Sequence, residues 1–440
     1  MSLLVPNELS LQSKAAYLRT LPSIRERCTR VFELAQQGKL EYFDYHEEKE
    51  KQVVEYCRNI ITRDFGTDYS RIPPHGRWRH FDLGLNRVER LLNKWTTELG
   101  TGENAKKESS KRLVDLFVVS VLLDAGAGKD WVYHEKDTEG NYSRSEGLAI
   151  CSLHMFEDGL FSGEDGQKCR VDATGLSKIT ATSVAQHMQV SETNPIVGLE
   201  GRTSLLYNLS TALKSSTEFF GEEGRPGNML DFLERQSKIS ESGTRLVPLA
   251  ALWNVLIDGL NPIWPASRTK LGGVSLGDVW PCEALKSTSS SEGDDLVPFH
   301  KLTQWLTYSL VEAITHTMKW EFVGLEDMTG LPEYRNGGLL IDLGVLTLKP
   351  NALPIDETSG LPKAAPDDPA VVEWRAMTVV MLDRIATALR TSLNLSASDL
   401  SLAQVLESAT WKGGREIAQT KRGEKGGGPP LELVSDGTVF

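Results

Sequence analysis

LPEYRNGGLLIDLGVL, residues 331–346, joins two patterns that do not ordinarily share one segment. Its second half continues as GGLLIDLGVLTL, an apolar run of strand length. Its first half sets Glu333, Tyr334 and Arg335 between Pro332 and the pair Gly337-Gly338. Proline fixes its own backbone, and two glycines permit a tight turn or a close approach. The expectation is a rigid turn at the mouth of a strand, with polar side chains held there. A plain core strand has no use for them, whereas the wall of a binding or catalytic pocket has. Glu333 reads as a general base or a binder of hydroxyls. Arg335 reads as an anion ligand or as a partner for Glu333. Asp342 lies inside the apolar run, where an unpaired carboxylate is costly. It is read either as an acid or base with a raised pKa or as half of an Asp–Arg bridge.

Around this stretch the chain reads as helix. SKAAYLRTLPSIRERCTRVFELAQQGKL, KRLVDLFVVSVLLDAGAGKDWVY, LVPLAALWNVLIDGLNPIW and VVEWRAMTVVMLDRIATALR carry apolar residues at helical spacing or as buried runs. No repeat and no βαβ alternation appears, and no second strand is signalled as clearly. The expected class is α+β, predominantly α-helical, with a small sheet in the C-terminal half. The 440 residues divide into an N-terminal helical region 1–105, a central helical region with Gly-rich loops 106–286, and a C-terminal region 287–440, within one integrated unit. STSSSEGDD, residues 287–295, is the most linker-like stretch.

Composition narrows the function classes. With 48 basic and 60 acidic residues the net charge is −12, which argues against a nucleic-acid binder that works by neutralising phosphates. Cys28, Cys57, Cys151, Cys169 and Cys282 form no CxxC pair and read as reduced intracellular thiols. No secretory leader and no membrane-length apolar run is visible. The expectation is a cytoplasmic protein with a small-molecule substrate, no nucleic-acid or membrane partner, and room for a homo-oligomer.

A second set of candidates sits in VPFHKLTQWLTYSLVEAITHTM. No charge falls between Lys301 and Glu312, so the helix reads as buried. His300, Gln304, Thr307 and Tyr308 share one face, an uncharged stripe that needs partners from the backbone or from a polar ligand. In LLDAGAG, Asp124 ends a helix against small residues, as a helix cap or a site carboxylate. Arg202 and Arg225 stand beside glycines, either to bind a phosphate or to bridge helices. Glu312 and His316 have ligand-compatible spacing, but no third ligand is signalled. No cofactor is therefore expected, with a divalent metal as the lesser reading. GxSxG is absent.

LLDAGAG, RSEGLA, NPIVGLEGR, RPGNMLD, PFHKLTQWLTYSL, MTGLPEYRNGGLLIDLGV, VVEWRA and SDGTVF, taken in order, resemble the uracil catabolism protein 4 family. The resemblance spans nearly the whole chain. It implies a role in a pyrimidine breakdown route in which uracil becomes a nucleotide, its ring is opened, and urea is released from a ribosyl-linked urea. The implied activity is hydrolysis of the N-glycosidic bond of ribosylurea or its phosphate. The alternative is a non-catalytic binding or scaffold partner of the ring-opening enzyme. Bond cleavage through an oxocarbenium-like state wants carboxylates, for which Glu333, Asp342 and Asp124 are the candidates. His300, Gln304, Tyr308, Tyr334, Arg335 and Arg202 are the substrate-binding candidates.

Overall fold

The computed structural model describes residues 10–286 and 291–434. The 287–290 part of the linker-like stretch and the SDGTVF block, 435–440, lie outside the described residues. Helices dominate and the sheets are small, so the α+β, mainly helical class is borne out. Among the described residues no helix is long and apolar enough to cross a membrane.

The chain forms two compact units, each assembled from separated stretches. The first takes residues 10–75, 266–286, 291–301 and 326–434. Helix Leu21–Gln36 packs on the long helix Pro369–Leu393, and the short helix Tyr334–Asp342 packs on Trp411–Arg422. A two-stranded antiparallel ribbon pairs Phe43–Tyr45 with Leu346–Leu348, with Asp44 opposite Thr347. Glu373 accepts hydrogen bonds from the amides of Glu41, Tyr42 and Phe43 at 2.8, 2.9 and 3.0 Å, which fixes the approach to that ribbon. Residues 291–295 are tied down, unlike a linker. Lys14 Nζ donates to Ser291 Oγ at 2.7 Å, and the Cys282 amide donates to Asp295 O at 2.9 Å.

The second unit takes residues 76–265 and 302–325. Helix Glu103–Leu122 is buried along its C-terminal half and packs against Arg87–Leu99 and Arg144–Asp158. A three-stranded sheet sets Arg245–Pro248 between Glu321–Val323, parallel, and Lys238–Ile239, antiparallel.

The 337–348 strand is corrected. Residues Tyr334–Asp342 form a helix, and only Leu346–Leu348 is strand. Glu333 is the N-cap, with extended backbone and a carboxylate that accepts from the helix's own first amides. At the other end the Gly344 amide donates to Ile341 O at 3.0 Å and the Val345 amide to Leu340 O at 2.8 Å. This is a Schellman stop, with Gly344 at φ +78° where a side chain would be strained. Gly337 is no turn residue. It lies within the helix and must lack a side chain because the Trp374 indole occupies that place, and the indole donates to Gly337 O at 3.0 Å.

The packing partner is matched in the same way. A Cβ on Gly414 would sit 2.0 Å from the Arg335 carbonyl oxygen. Because the obstacle is backbone, the two helices would have to separate. Gly414→Ala is expected to cost about 2 kcal/mol, overpacking outweighing the gain in helix propensity, as read by thermal melting. An unchanged melting temperature would contradict this contact.

Candidate functional site around Glu333

The Glu333 carboxylate accepts from the Arg335 amide at 2.8 Å and the Asn336 amide at 2.6 Å. The expected partner, the Arg335 guanidinium, turns away. It lies over the Tyr334 ring, 5.0 Å from the centroid, and donates to Gly427 O at 2.9 Å. Glu333 is therefore a buried carboxylate that, among the described residues, has no side-chain hydrogen bond, and burial pushes its pKa above the usual value. Its two amide donors, the Lys301 ammonium and Arg335 pull the other way.

Behind this helix start lies a buried ion pair. Arg375 donates to both oxygens of Asp278, at 2.8 Å each. Asp278 also accepts from Trp280 Nε1 at 2.6 Å and from the Lys301 amide at 2.9 Å. Arg375 Nε reaches Pro332 O at 3.3 Å. The Asp278 carboxyl is held far below the usual carboxylate range against its burial, chiefly by Arg375. His300 sits in the same cluster, fully buried, with Nε2 at 2.8 Å from Leu18 O. A carbonyl only accepts, so Nε2 carries the proton. Burial lowers the imidazole pKa and keeps the ring neutral at pH 7.

Asp342 belongs to a different contact. Its carboxylate takes both guanidinium nitrogens of Arg422, at 2.7 and 2.5 Å, which is the structural reading of that residue. Glu333 and Asp342 cap and end one nine-residue helix. At 1.5 Å per residue they stand roughly 13 Å apart along the axis. A pair of glycosidase carboxylates needs about 5–9.5 Å, so these two do not form one.

The second unit holds the remaining candidates. Asp124 follows helix Glu103–Leu122 and pairs with Arg77 at 2.9 Å. Arg77 is fully buried and also donates to Ser120 Oγ at 2.8 Å. Arg202 is fully buried too, and donates to the carbonyls of Leu123, Ala125, Gly126 and Val197, so it braces the small-residue turn. Burial lowers its pKa to about 10. Gln304 and Tyr308 are buried on helix Lys301–Met318, as the charge-free run predicts, and Thr307 Oγ1 donates to Thr303 O of its own helix. Arg225 bridges Asp115 and Glu108.

The two units thus divide the candidates. His300, Glu333, Tyr334, Arg335 and Asp342 fall in the first, and Asp124, Arg202, Gln304 and Tyr308 in the second. An open polar groove of about 490 Å³ on helix Leu21–Gln36 is lined by none of them. Among the described residues no three His, Cys, Asp or Glu side chains cluster as a metal cage would. Glu312 pairs with Arg79 and His316 with Glu89. Sequence reading missed Arg77, Asp278 and Arg375. A signal for the last was present, since Glu373 and Arg375 are charges inside the apolar run VVEWRAMTVVML.

Residues 17–440 match the family described as "Protein of unknown function (DUF1688)". The chain is similar to "Uracil catabolism protein 4" of Lachancea kluyveri, 42% identical over 449 aligned residues that cover 98% of this chain and 100% of that protein. It is also similar to "Protein urg3" of Schizosaccharomyces pombe, 42% identical over 427 residues, 97% of this chain and 98% of that protein. A match over this length, with two relatives aligned nearly end to end, means that the chain belongs to the DUF1688 family.

Proposed function

We propose that the protein acts in uracil breakdown as a hydrolase that cleaves the N-glycosidic bond of ribosylurea or its phosphate and releases urea. The observation that carries this reading is Glu333, a buried carboxyl with a raised pKa and, among the described residues, no side-chain hydrogen bond, placed at a helix start. The name of the Lachancea kluyveri relative, "Uracil catabolism protein 4", supports the pathway. A carboxyl whose protonated form is favoured by burial suits a general acid. As the bond from the ribose anomeric carbon to nitrogen breaks, Glu333 delivers its proton to that nitrogen and urea leaves neutral. The resulting carboxylate then faces the oxocarbenium-like sugar and takes a proton from the attacking water. Tyr334, half-buried and next in sequence, is the candidate hydroxyl for the ribose or the urea carbonyl.

The test is to incubate purified protein with ribosylurea and with its phosphate, and to measure urea. Release from at least one substrate, absent without protein, is expected. No urea from either overturns the reading.

A further inference from the structure

We propose that Asp278 and Arg375 are positioning residues for the Glu333 site. They hold the 299–301 turn and the 332–333 turn in one frame, so that the Lys301 ammonium bears on the Glu333 carboxyl. The proposal rests on the reading of Glu333 as the acting carboxyl.

Three consecutive amides converge on one residue. Phe299 and His300 donate to the Asp278 carbonyl at 2.9 and 3.3 Å, and Lys301 donates to its carboxylate at 2.9 Å. His300 is held between them in the left-handed region, at φ +45°. That conformation is strained for a residue with a side chain and persists only where its surroundings over-determine it. From the other side Arg375 closes the frame. Its guanidinium lies 4.1 Å from the Phe299 ring centroid, and its Nε reaches the carbonyl of Pro332, the residue before Glu333. Against well-packed hydrophobic side chains a buried ion pair is about neutral for stability. What this pair adds is direction, because four hydrogen bonds are fixed on one carboxylate. The charges of Lys301 and Arg335 both favour the ionised form of Glu333. Arg335 is fixed by its own bond to Gly427 O. Lys301 is half-buried, and its main chain is fixed by Asp278.

The test follows the carboxylic C=O infrared band of Glu333 through a pH titration, with the band assigned by its loss in Glu333→Gln. Two charge-neutral variants disturb the frame. Arg375→Lys keeps a cation against Asp278 but drops the contact with Pro332. Trp280→Phe removes only the indole donor. In both the Glu333 midpoint is expected to rise, by about one pH unit for Arg375→Lys, the low end of what a nearby opposite charge exerts. Lys301→Met is expected to move it the same way with the melting temperature unchanged. An unmoved midpoint in Lys301→Met, or in either folded frame variant, overturns the proposal. The readout needs no substrate. A midpoint that moves as expected in protein that releases no urea supports the frame and sinks the hydrolase reading.

Discussion

Glu333→Gln is expected to cut urea release by about 100- to 10,000-fold, the range of a lost general acid or base. The fold should survive. Glutamine keeps one acceptor oxygen for the two amides that Glu333 now serves, so half of a cap is lost, at about 1 kcal/mol. Burial opposes that loss. The folded pKa of Glu333 is raised, so its contribution to stability is fully present below the ordinary carboxylate value and fades as pH rises through the folded value. Glutamine carries no such penalty. The melting temperature of the variant relative to the parent should therefore improve as pH rises above the ordinary carboxylate value of about 4. A drop of 3 kcal/mol or more, of the order of a broken buried ion pair, would make Glu333 structural. A stable variant with full activity would pass the role to Asp124 or Asp342.

The largest effect on stability is expected at Arg375. Arg375→Met leaves the fully buried Asp278 carboxylate with only the Trp280 indole and the Lys301 amide. Breaking one side of a buried pair costs about 3–5 kcal/mol, measurable by guanidinium denaturation near neutral pH. Here the pH sign is opposite to that of Glu333. The Asp278 pKa is lowered, so what it contributes is present above the ordinary carboxylate value and lost as pH falls. The gap between parent and variant should close in acid. Pairing Arg375→Met with Asp278→Leu should recover most of the loss, since an apolar pair satisfies itself. A single variant that costs under 1 kcal/mol would show that the pair does not hold the first unit together.

The helical class and the burial of Gln304, Thr307 and Tyr308 are legible because one observable, the absence of charge from 302 to 311, controls both. The helix stop before Asp124 is legible from its small residues. The 337–348 run misleads because a short apolar segment has no distinct period. The features that decide it are end effects. Glu333 is an uncommon N-cap, and Gly344 looks like an interruption of a strand until it is seen as the residue after a helix. The reason for Gly337 is Trp374, and the reason for Gly414 is Arg335 O, both remote in sequence. Asp278 and Arg375 were missed for the same cause. An ion pair across 97 residues leaves no local trace, only two charges in apolar company.

The Gly414 contact also limits how this protein can diverge. Where helix Trp411–Arg422 meets Arg335, it meets main-chain oxygen. Main chain is the same whatever the side chain, so no single substitution in Tyr334–Asp342 widens or narrows that gap. Point mutation has no graded path there, and any side chain at 414 is a step backwards. Change around this contact must arise by exchange at other side chains or by lengthening the neighbouring loops, while the main-chain contact behind the start of the helix stays fixed.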